Sequence, residues 1–243
     1  MLLYYITDRR QFFGSETEQR EKLLATIAEA GACAVDFVQL RERDLSGRQL
    51  EALAHDALVA LRTACSKVQV VEGIGGGQLV AGGCKLLINS RVDVALATGA
   101  DGVHLRSSDI GAGEARAIVA CASHGQRSLS PERFLISASC HTAAEVRLAE
   151  AHGADIVLFG PVFEKLDSST APHGIAGLRA VCRDRKAARP PVAVLALGGV
   201  TLRNAESCVR AGARGIAGIR LFQEGDLRAT VEKLRALERL ERS

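Results

Sequence analysis

The chain has 243 residues, of which 47% are hydrophobic, and this is enough apolar material to bury a large core. Its 31 basic and 28 acidic residues leave a formal net charge of +3 and are spread along the chain, which argues against nucleic-acid binding. The chain has no Trp, two Tyr and seven Phe, which disfavours an aromatic platform for stacking bases. No apolar run approaches the ~20 residues that a membrane-spanning helix needs. We therefore expect a soluble protein without a nucleic-acid or membrane partner.

Seven cysteines are isolated from one another, and their odd number does not suggest a disulfide framework. They are typical of reduced thiols in a cytoplasmic protein. The N-terminal stretch MLLYYITDRR has neither a basic leader nor an apolar segment of signal-peptide length. We expect a cytoplasmic location.

Apolar runs alternate with amphipathic segments along the whole chain. Gly-Ala pairs at Gly31, Gly99, Gly153 and Gly212 each precede an apolar run, a pattern that indicates a helix end followed by a buried strand. These glycines lie about 60 residues apart, which leaves room for two βα units of ~30 residues. The predicted strands cover 2–7, 35–40, 85–89, 102–105, 134–139, 155–160, 191–197 and 214–219. The predicted helices cover 16–30, 47–64, 91–98, 110–123, 142–152, 174–186, 201–211 and 225–241.

Eight βα units in a chain of this length predict a single (β/α)₈ barrel domain over residues 1–243. A doubly wound open sheet is the alternative. Helix 47–64 illustrates the periodicity, since its apolar residues fall on one stripe. The stretch VEGIGGGQLVAGG (71–83) fits no element. It has Gln78 where a nucleotide loop has glycine, and no Gly-Lys-Ser/Thr follows, so we interpret it as a surface insertion.

Polar residues concentrate where the predicted strands end, whereas the strands themselves are apolar. In a barrel these ends share one mouth, where active sites form. Whether His104 faces the barrel interior or the helices stays open. The polar residues at or just after the strand ends are Thr7, Asp8, Gln39, Arg41, Arg43, Asn89, Ser90, His104, Asp109, Ser139, His141 and Arg220.

A phosphate site is predicted where strands 7 and 8 end. Gly198-Gly199 permits close approach of the backbone to an anion, and Thr201 is placed to cap a helix whose dipole favours negative charge. Ile219 and Arg220 follow strand 8, the other strand whose loop commonly binds phosphate in barrels. The alternative for the two glycines is a tight turn that needs positive φ.

His141 is the candidate for proton transfer, because it follows strand 5 directly and precedes a helix. The neighbouring Cys140 is a candidate nucleophile, but the sequence assigns it no basic partner, and a packed thiol is the alternative. Thr142 and Glu145 form a capping-box pattern that needs no functional explanation.

Six segments in chain order resemble the thiamine phosphate synthase/TenI superfamily, over nearly the whole chain except 71–83. Each fragment is weakly specific, but six in register are specific. The resemblance implies a TIM barrel that binds a thiazole phosphate, a role in thiamine biosynthesis, and a homodimer. The segments are YYITD (4–8), VQLRERDLSGRQL (38–50), LLINSRVDVALATGADGVHL (86–105), SASCHTAAEV (137–146), GADIVLFGPVFE (153–164) and VLALGGVTLRNAESCVRAGARGIAGI (194–219).

One branch of the superfamily, thiamine phosphate synthase, joins hydroxymethylpyrimidine diphosphate to thiazole phosphate with Mg²⁺. Its Gln-x-Arg pattern matches residues 39–41, and one of its metal-binding carboxylates matches Asp109. Arg43 stands in place of its lysine, and Ser90 in place of its other metal-binding carboxylate. The segment Lys-Leu-Asp-Ser (165–168) replaces its Thr-x-Thr-Lys. These changes weaken the neutralisation of a diphosphate leaving group.

The other branch, the TenI-type thiazole tautomerase, aromatises a thiazole carboxylate phosphate by moving a proton and uses no metal. Residues 41–43, 89–93, 139–141 and 157–160 resemble this branch, and the resemblance makes His141 its acid/base. The substrate-binding residues would be Gln39, Arg41, Arg43, Asn89 and Ser139, and the phosphate-binding residues Gly198, Gly199, Ile219 and Arg220.

We therefore predict an isomerase of the tautomerase type, without metal or cofactor, whose partner is a small-molecule thiazole phosphate. Arg220 stands where the synthase usually has serine, and its guanidinium could pair directly with the phosphate. The first alternative is a synthase that binds Mg²⁺ at Asp109. The second is a thiazole phosphate-binding protein without catalytic activity.

Overall fold

Eight parallel strands close into a barrel in the computed structural model, which describes residues 1–65, 83–123, 131–164, 171–183 and 192–240. The strands are β1 (Leu2–Ile6), β2 (Phe37–Leu40), β3 (Lys85–Asn89), β4 (Gly102–Leu105), β5 (Leu135–Cys140), β6 (Ile156–Phe159), β7 (Ala193–Leu197) and β8 (Gly215–Gly218). The helices are α1 (Glu16–Ala32), α2 (Gly47–Cys65), α3 (Val92–Thr98), α4 (Ala112–Ser123), α5 (Ala143–Ala151), α6 (Gly174–Arg183), α7 (Ala205–Arg210), α8 (Arg220–Gln223) and α9 (Leu227–Leu240).

Pairing of the first strand with the last closes the barrel. Leu2 lies opposite Gly215, and Tyr5 lies opposite Gly218. Every other strand pairs in parallel with its neighbour in sequence. The (β/α)₈ prediction is therefore confirmed, and the open doubly wound sheet is wrong. The predicted insertion at 71–83 falls outside the described residues, apart from Gly83.

The barrel interior is apolar at its floor and polar at its mouth, because alternate residues of each strand point inward. The inward apolar residues form one buried cluster of Tyr4, Ile6, Phe37, Leu87, Ile156, Leu158, Ala193, Leu195 and Ala217. Nearer the carboxyl ends, the inward-facing residues are polar, namely Gln39, Asn89, His104, Ser137 and Ser139. The fold thus carries polar groups to the mouth that the sequence analysis identified.

The opposite residues of each strand pack against the helices in a second, larger core. The stripe predicted for helix 47–64 is buried in α2, where Leu53 is 2% exposed and Ala57 is fully covered. Ser15 caps α1, since its hydroxyl accepts from the backbone N–H of Glu18 and the Glu18 carboxylate accepts from that of Ser15. Within the described parts of the chain, no helix is long and apolar enough to span a bilayer.

Three aspartates tie the strands together at the amino-terminal end of the barrel. Asp36, Asp101 and Asp155 each precede a strand and accept the backbone N–H of a residue in the preceding strand, at 2.6, 2.9 and 2.7 Å. Each also pairs with a basic side chain, from Arg235, Lys85 and Arg116 respectively. Asp101 and Asp155 follow directly on Gly-Ala, so the recurring pattern marks the floor of the barrel.

Candidate active site

A chain of hydrogen bonds crosses one side of the mouth, from β2 through β3 to the loop after β4. Gln39 Nε2 donates to Asn89 Oδ1 at 2.8 Å, and Asn89 Nδ2 donates to Ser90 Oγ at 3.0 Å. Arg106 Nε donates to the same hydroxyl at 2.9 Å. Gln39 is 1% exposed, and its Oε1 has no hydrogen-bond partner among the described residues. This buried acceptor can receive an N–H of a bound ring.

Asp109 lies at the end of this chain, against the guanidinium of Arg106. Arg106 Nη2 donates to Asp109 Oδ1 at 2.8 Å, and the backbone N–H of Arg106 donates to Oδ2 at the same distance. Burial by itself would raise the pKa of Asp109, but hydrogen bonds from Arg106 and Ser90 outweigh it and lower the pKa. Asp109 is therefore a carboxylate that already has a cationic partner.

The residues around Asp109 do not fit the Mg²⁺ that the synthase pattern implies. Both carboxylate oxygens accept hydrogen bonds from Arg106, and the nearby Ser90 offers a hydroxyl instead of a second carboxylate. No group of three or more His, Cys, Asp or Glu side chains is placed to hold a metal ion in the described segments.

A basic cavity of about 580 Å³ opens beside this cluster, above β1 and β2. Arg41 and Arg43 contribute two of its positive charges. Burial, followed by the charges of Arg43 and Arg106, lowers the pKa of Arg41. Arg41 has Asp8 as an ion-pair partner at 3.7 Å. An anion in the cavity would relieve this crowding of positive charge. The lining residues are Asp8, Arg10, Gln11, Arg41, Arg43 and Asp44.

Glu42 anchors the loop that carries these arginines. Thr7 Oγ1 donates to Glu42 Oε1 at 2.6 Å, and the guanidinium of the buried Arg9 lies 3.2 Å from Oε2. Arg9 also pairs with Asp44. The sequence analysis assigned no role to Glu42 or Arg9. Glu42 is 5% exposed, whereas its neighbours Arg41 and Arg43 line the cavity, so its bonds to Thr7 and Arg9 hold the stretch of backbone that carries the two arginines.

The predicted phosphate-binding residues share a second cavity, of about 1040 Å³, at the ends of β7 and β8. Gly198, Gly199, Ile219 and Arg220 all line it, and Gln11 lines both cavities. Gly198 and Gly199 have φ values of +93° and +64°. A Cβ on Gly199 would lie 2.5 Å from the carbonyl oxygen of Glu164. The tight-turn interpretation therefore explains these glycines whether or not an anion binds.

The helix after the glycine pair begins later than predicted. It starts at Ala205, because the carboxamide of Asn204 holds the preceding turn: Oδ1 accepts the N–H of Thr201 at 2.7 Å, and Nδ2 donates to the carbonyl of Gly199. Thr201 therefore does not cap the helix, and α7 has only six residues. An anion here would meet the backbone of the turn and the side chains of Arg203 and Arg220, without help from the N-terminus of α7.

Backbone hydrogen bonds join the two ends of the loop after β6. His173 N–H donates to the Pro161 carbonyl at 2.9 Å, and Gly174 N–H donates to Val162 at 2.9 Å. Phe163 N–H donates to Gly198 at 3.0 Å, which ties the same loop to the phosphate turn. Residues 165–170, including the segment 165–168 that distinguishes this chain from the synthase pattern, lie outside the described residues.

His141 is held at the mouth in a defined tautomer. Its Nδ1 lies 2.5 Å from the carbonyl oxygen of Gly160, which can only accept, so Nδ1 carries the proton. Nε2 is then the basic nitrogen, and the residue is exposed. His141 lines neither of the two cavities, and the same is true of Asn89 and Ser139.

His104 faces the barrel interior, which settles the alternative left open by its alternating strand. Its Nδ1 lies 3.0 Å from Ser137 Oγ and its Nε2 lies 2.9 Å from Ser139 Oγ, so the Ser139 hydroxyl is engaged by His104. Burial lowers the pKa of His104 to about 3, and the ring is neutral at physiological pH. We therefore interpret His104 as a residue that stabilises the barrel by linking β4 to β5.

Cys140 packs into the helix-facing core and is 2% exposed. Burial raises the pKa of its thiol to about 12, so the thiolate that a nucleophile requires is not formed near neutral pH. The packed-thiol alternative therefore holds.

The closed (β/α)₈ barrel, with two cavities at the carboxyl ends of its strands, is the architecture of a class of enzymes whose active sites lie at that end. The family model for thiamine monophosphate synthase matches residues 78–222. A thiamine-phosphate synthase from Methanoculleus marisnigri is 36% identical, over 96% of this chain and 93% of that protein. The chain therefore belongs to the thiamine monophosphate synthase family, a family of thiamine biosynthesis.

Two further relatives are named for the same enzyme activity. A putative thiamine-phosphate synthase from Geobacter sulfurreducens is 35% identical over 97% of this chain and 93% of that protein. A solved thiamine phosphate pyrophosphorylase from Pyrococcus furiosus is 26% identical and superposes with a TM-score of 0.72, covering 98% of this chain and 96% of that one. These relatives carry the name of the transferase, which was the alternative in the sequence analysis. They give no specific support to the tautomerase branch.

Proposed function

We propose that the protein is a transferase that joins a pyrimidine diphosphate to a thiazole phosphate and releases pyrophosphate. The observation that carries this proposal is the pair of cavities at one mouth, which share Gln11. A reaction between two anionic substrates needs two adjacent anion sites, and the three arginines of the smaller cavity suit a diphosphate better than the single carboxylate of the tautomerase substrate. The names of the relatives support the same reaction.

The two cavities suit different substrates. The larger one has Arg203, Arg220 and Glu224 beside the glycine turn, which suits the one phosphate of the thiazole. The smaller one has three arginines, Arg10, Arg41 and Arg43, and of its two aspartates Asp44 is already paired with Arg9, which suits a diphosphate. The unpartnered Oε1 of Gln39 can accept an N–H of the pyrimidine.

The reaction breaks the carbon–oxygen bond between the pyrimidine methylene and the diphosphate, and the electron pair leaves with pyrophosphate. The ring nitrogen of the thiazole supplies its lone pair to the methylene carbon and becomes the thiazolium nitrogen. Charge therefore builds on the departing oxygen. Arginines placed beside that oxygen stabilise the transition state most when they are held in position beforehand, and Glu42 anchors the backbone between Arg41 and Arg43.

Pyrophosphate release from the two substrates, measured with Mg²⁺ and with EDTA, tests the proposal. We expect release that requires both substrates, and Arg41→Ala should lower kcat/KM by about 10²-fold because it removes a cation from the diphosphate cavity. Arg20→Ala is the matched control, since Arg20 pairs with Asp56 on the outer surface of the barrel. Substrate binding by calorimetry with no pyrophosphate release under either condition would reject the transferase and favour a non-catalytic binder.

A second candidate, the thiazole tautomerase, is favoured by the geometry of His141. Its Nε2 is a base at the mouth because the Gly160 carbonyl holds the proton on Nδ1. Under this hypothesis His141→Ala abolishes isomerisation of a thiazole carboxylate phosphate, and calorimetry shows that phosphate binding is retained. An unchanged rate in that variant rejects the role of His141. Wild-type protein that isomerises this compound but releases no pyrophosphate favours the tautomerase over the transferase.

A further inference from the structure

The synthase pattern and the structure disagree at Asp109. The pattern places a divalent cation between two carboxylates there, whereas the structure places the guanidinium of Arg106 between Asp109 and the hydroxyl of Ser90. Replacing the cation by Arg106 and the second carboxylate by Ser90 leaves the net charge of the cluster unchanged. A dication with two carboxylates carries equal positive and negative charge, and so does one guanidinium with one carboxylate and one hydroxyl.

Arg106 is also placed to contact an anion. Its hydrogen bonds to Ser90 and Asp109 use Nε and Nη2, and in the described part of the chain none uses Nη1. Its side chain is 51% exposed, whereas that of Asp109 is 10% exposed. The carboxylate thus pairs with the Nε and Nη2 edge of the guanidinium and leaves Nη1 available to an anion. Burial is the main cause of the lowered pKa of Arg41 in the basic cavity, and the charge of Arg106 acts in the same direction.

We propose that Arg106 supplies, beside Asp109, the positive charge that a divalent cation would otherwise bring to the diphosphate. This inference rests on the proposed transferase function. In the reaction described above, Arg106 donates from Nη1 to the diphosphate as its bond to the methylene carbon breaks. Asp109 and Ser90 are positioning residues, because they act by fixing the guanidinium. The protein should therefore release pyrophosphate in the presence of EDTA.

Binding of inorganic pyrophosphate in EDTA tests the anion site without any turnover. Arg106→Ala should weaken the affinity at least about tenfold, as expected for loss of one charge-assisted hydrogen-bond donor. Arg210→Ala should leave it unchanged, because Arg210 pairs with Glu206 on α7. The titrations are repeated in an Arg203→Ala/Arg220→Ala background, which removes both arginines that line the phosphate cavity. Equal affinities of wild type and Arg106→Ala in that background overturn the inference, as does wild-type binding that requires Mg²⁺.

A reconstruction of the metal site gives the complementary test. Ser90 has a φ of +64°, a conformation that Asp adopts more readily than most residues, so Ser90→Asp is compatible with the local backbone. Arg106→Ala alone should lower kcat/KM for pyrophosphate release by about 10²–10³-fold with or without Mg²⁺. The double variant Ser90→Asp/Arg106→Ala should regain at least tenfold of this loss, and only with Mg²⁺.

The two sets of measurements separate this inference from the proposed function. Pyrophosphate release by the wild type that EDTA abolishes overturns the role of Arg106 and leaves the transferase intact. Pyrophosphate binding that depends on Arg106, without release from the two substrates under any condition, retains the anion site and rejects the transferase.

Discussion

His104 shows how one buried side chain links the active-site mouth to the stability of the barrel. Its ring stacks edge-on against Tyr4 at 6.3 Å and bridges Ser137 and Ser139 on the neighbouring strand. Both ring nitrogens are therefore satisfied in the neutral form. Protonation would bury a charge next to apolar side chains, and for this reason burial lowers the pKa of His104 to about 3.

This depressed pKa makes folding stability depend on pH. The unfolded chain takes up the proton near pH 6.5, and the folded chain only near pH 3, so the stabilisation is complete above about pH 6.5 and is lost progressively as the pH falls towards 3. We expect His104→Gln to remove a slope of up to ~1.4 kcal/mol per pH unit from the free energy of unfolding between pH 6 and pH 4. Urea denaturation at several pH values measures this slope. The exposed His55→Gln variant should retain the wild-type slope, and an unchanged slope in His104→Gln would contradict the assignment.

At the scale of elements, Asp36 joins three segments that are distant in the chain. Its carboxylate precedes β2, accepts the N–H of Leu3 in β1, and pairs with Arg235 of α9 at 2.8 Å. The side chain is 7% exposed. Burial raises the pKa of Asp36, although Arg235 and Leu3 act in the opposite direction. Asp36 thereby links β1 and α9 to the start of β2.

Replacement of Asp36 tests this joint. Asp36→Ala leaves the N–H of Leu3 without its acceptor and Arg235 without its carboxylate, and we expect a loss of about 2–4 kcal/mol in the free energy of unfolding. Glu206→Ala, which breaks an exposed ion pair on α7, should change it by less than about 0.5 kcal/mol. Chemical denaturation measures the free energy of unfolding of both variants. If both lose less than about 0.5 kcal/mol, the bonds of Asp36 do not stabilise the fold. KM for both substrates should stay at the wild-type value in Asp36→Ala, because Asp36 lies at the opposite end of the barrel from the mouth.

Across the whole molecule, the two ends of the barrel differ in role. The hydrogen bonds and ion pairs of the three aspartates lie at the amino-terminal end, and the candidate active site lies at the carboxyl-terminal end. The recurring Gly-Ala pairs lie at the amino-terminal end, where a helix ends and the next strand begins. The pattern therefore marks the spacing of the βα units and predicted eight of them. The polar strand ends lie at the carboxyl-terminal end, and the structure brings the four predicted phosphate-binding residues into one cavity.

Other features of the site depend on tertiary geometry that no local pattern encodes. Arg106 meets Ser90 from 16 residues away because β3 and β4 are neighbours, and Glu42 is bonded to Thr7, 35 residues away just after the neighbouring strand β1. The side of the strand on which His104 lies follows from the register of β4 with β5. Periodicity therefore predicts the scaffold and the location of the mouth, whereas the hydrogen-bond partners of each side chain require the structure.

The backbone hydrogen bonds at the two ends of the loop after β6 bear on which changes the loop can tolerate. Its two ends are bonded to each other, at Pro161 with His173 and at Val162 with Gly174, and Phe163 is bonded to the glycine turn. Because these ends are bonded to each other, a change in the number of residues between them adds only a small closure entropy. A substitution or insertion between Phe163 and His173 would therefore leave the bonds that hold the ends of the loop and the glycine turn in place.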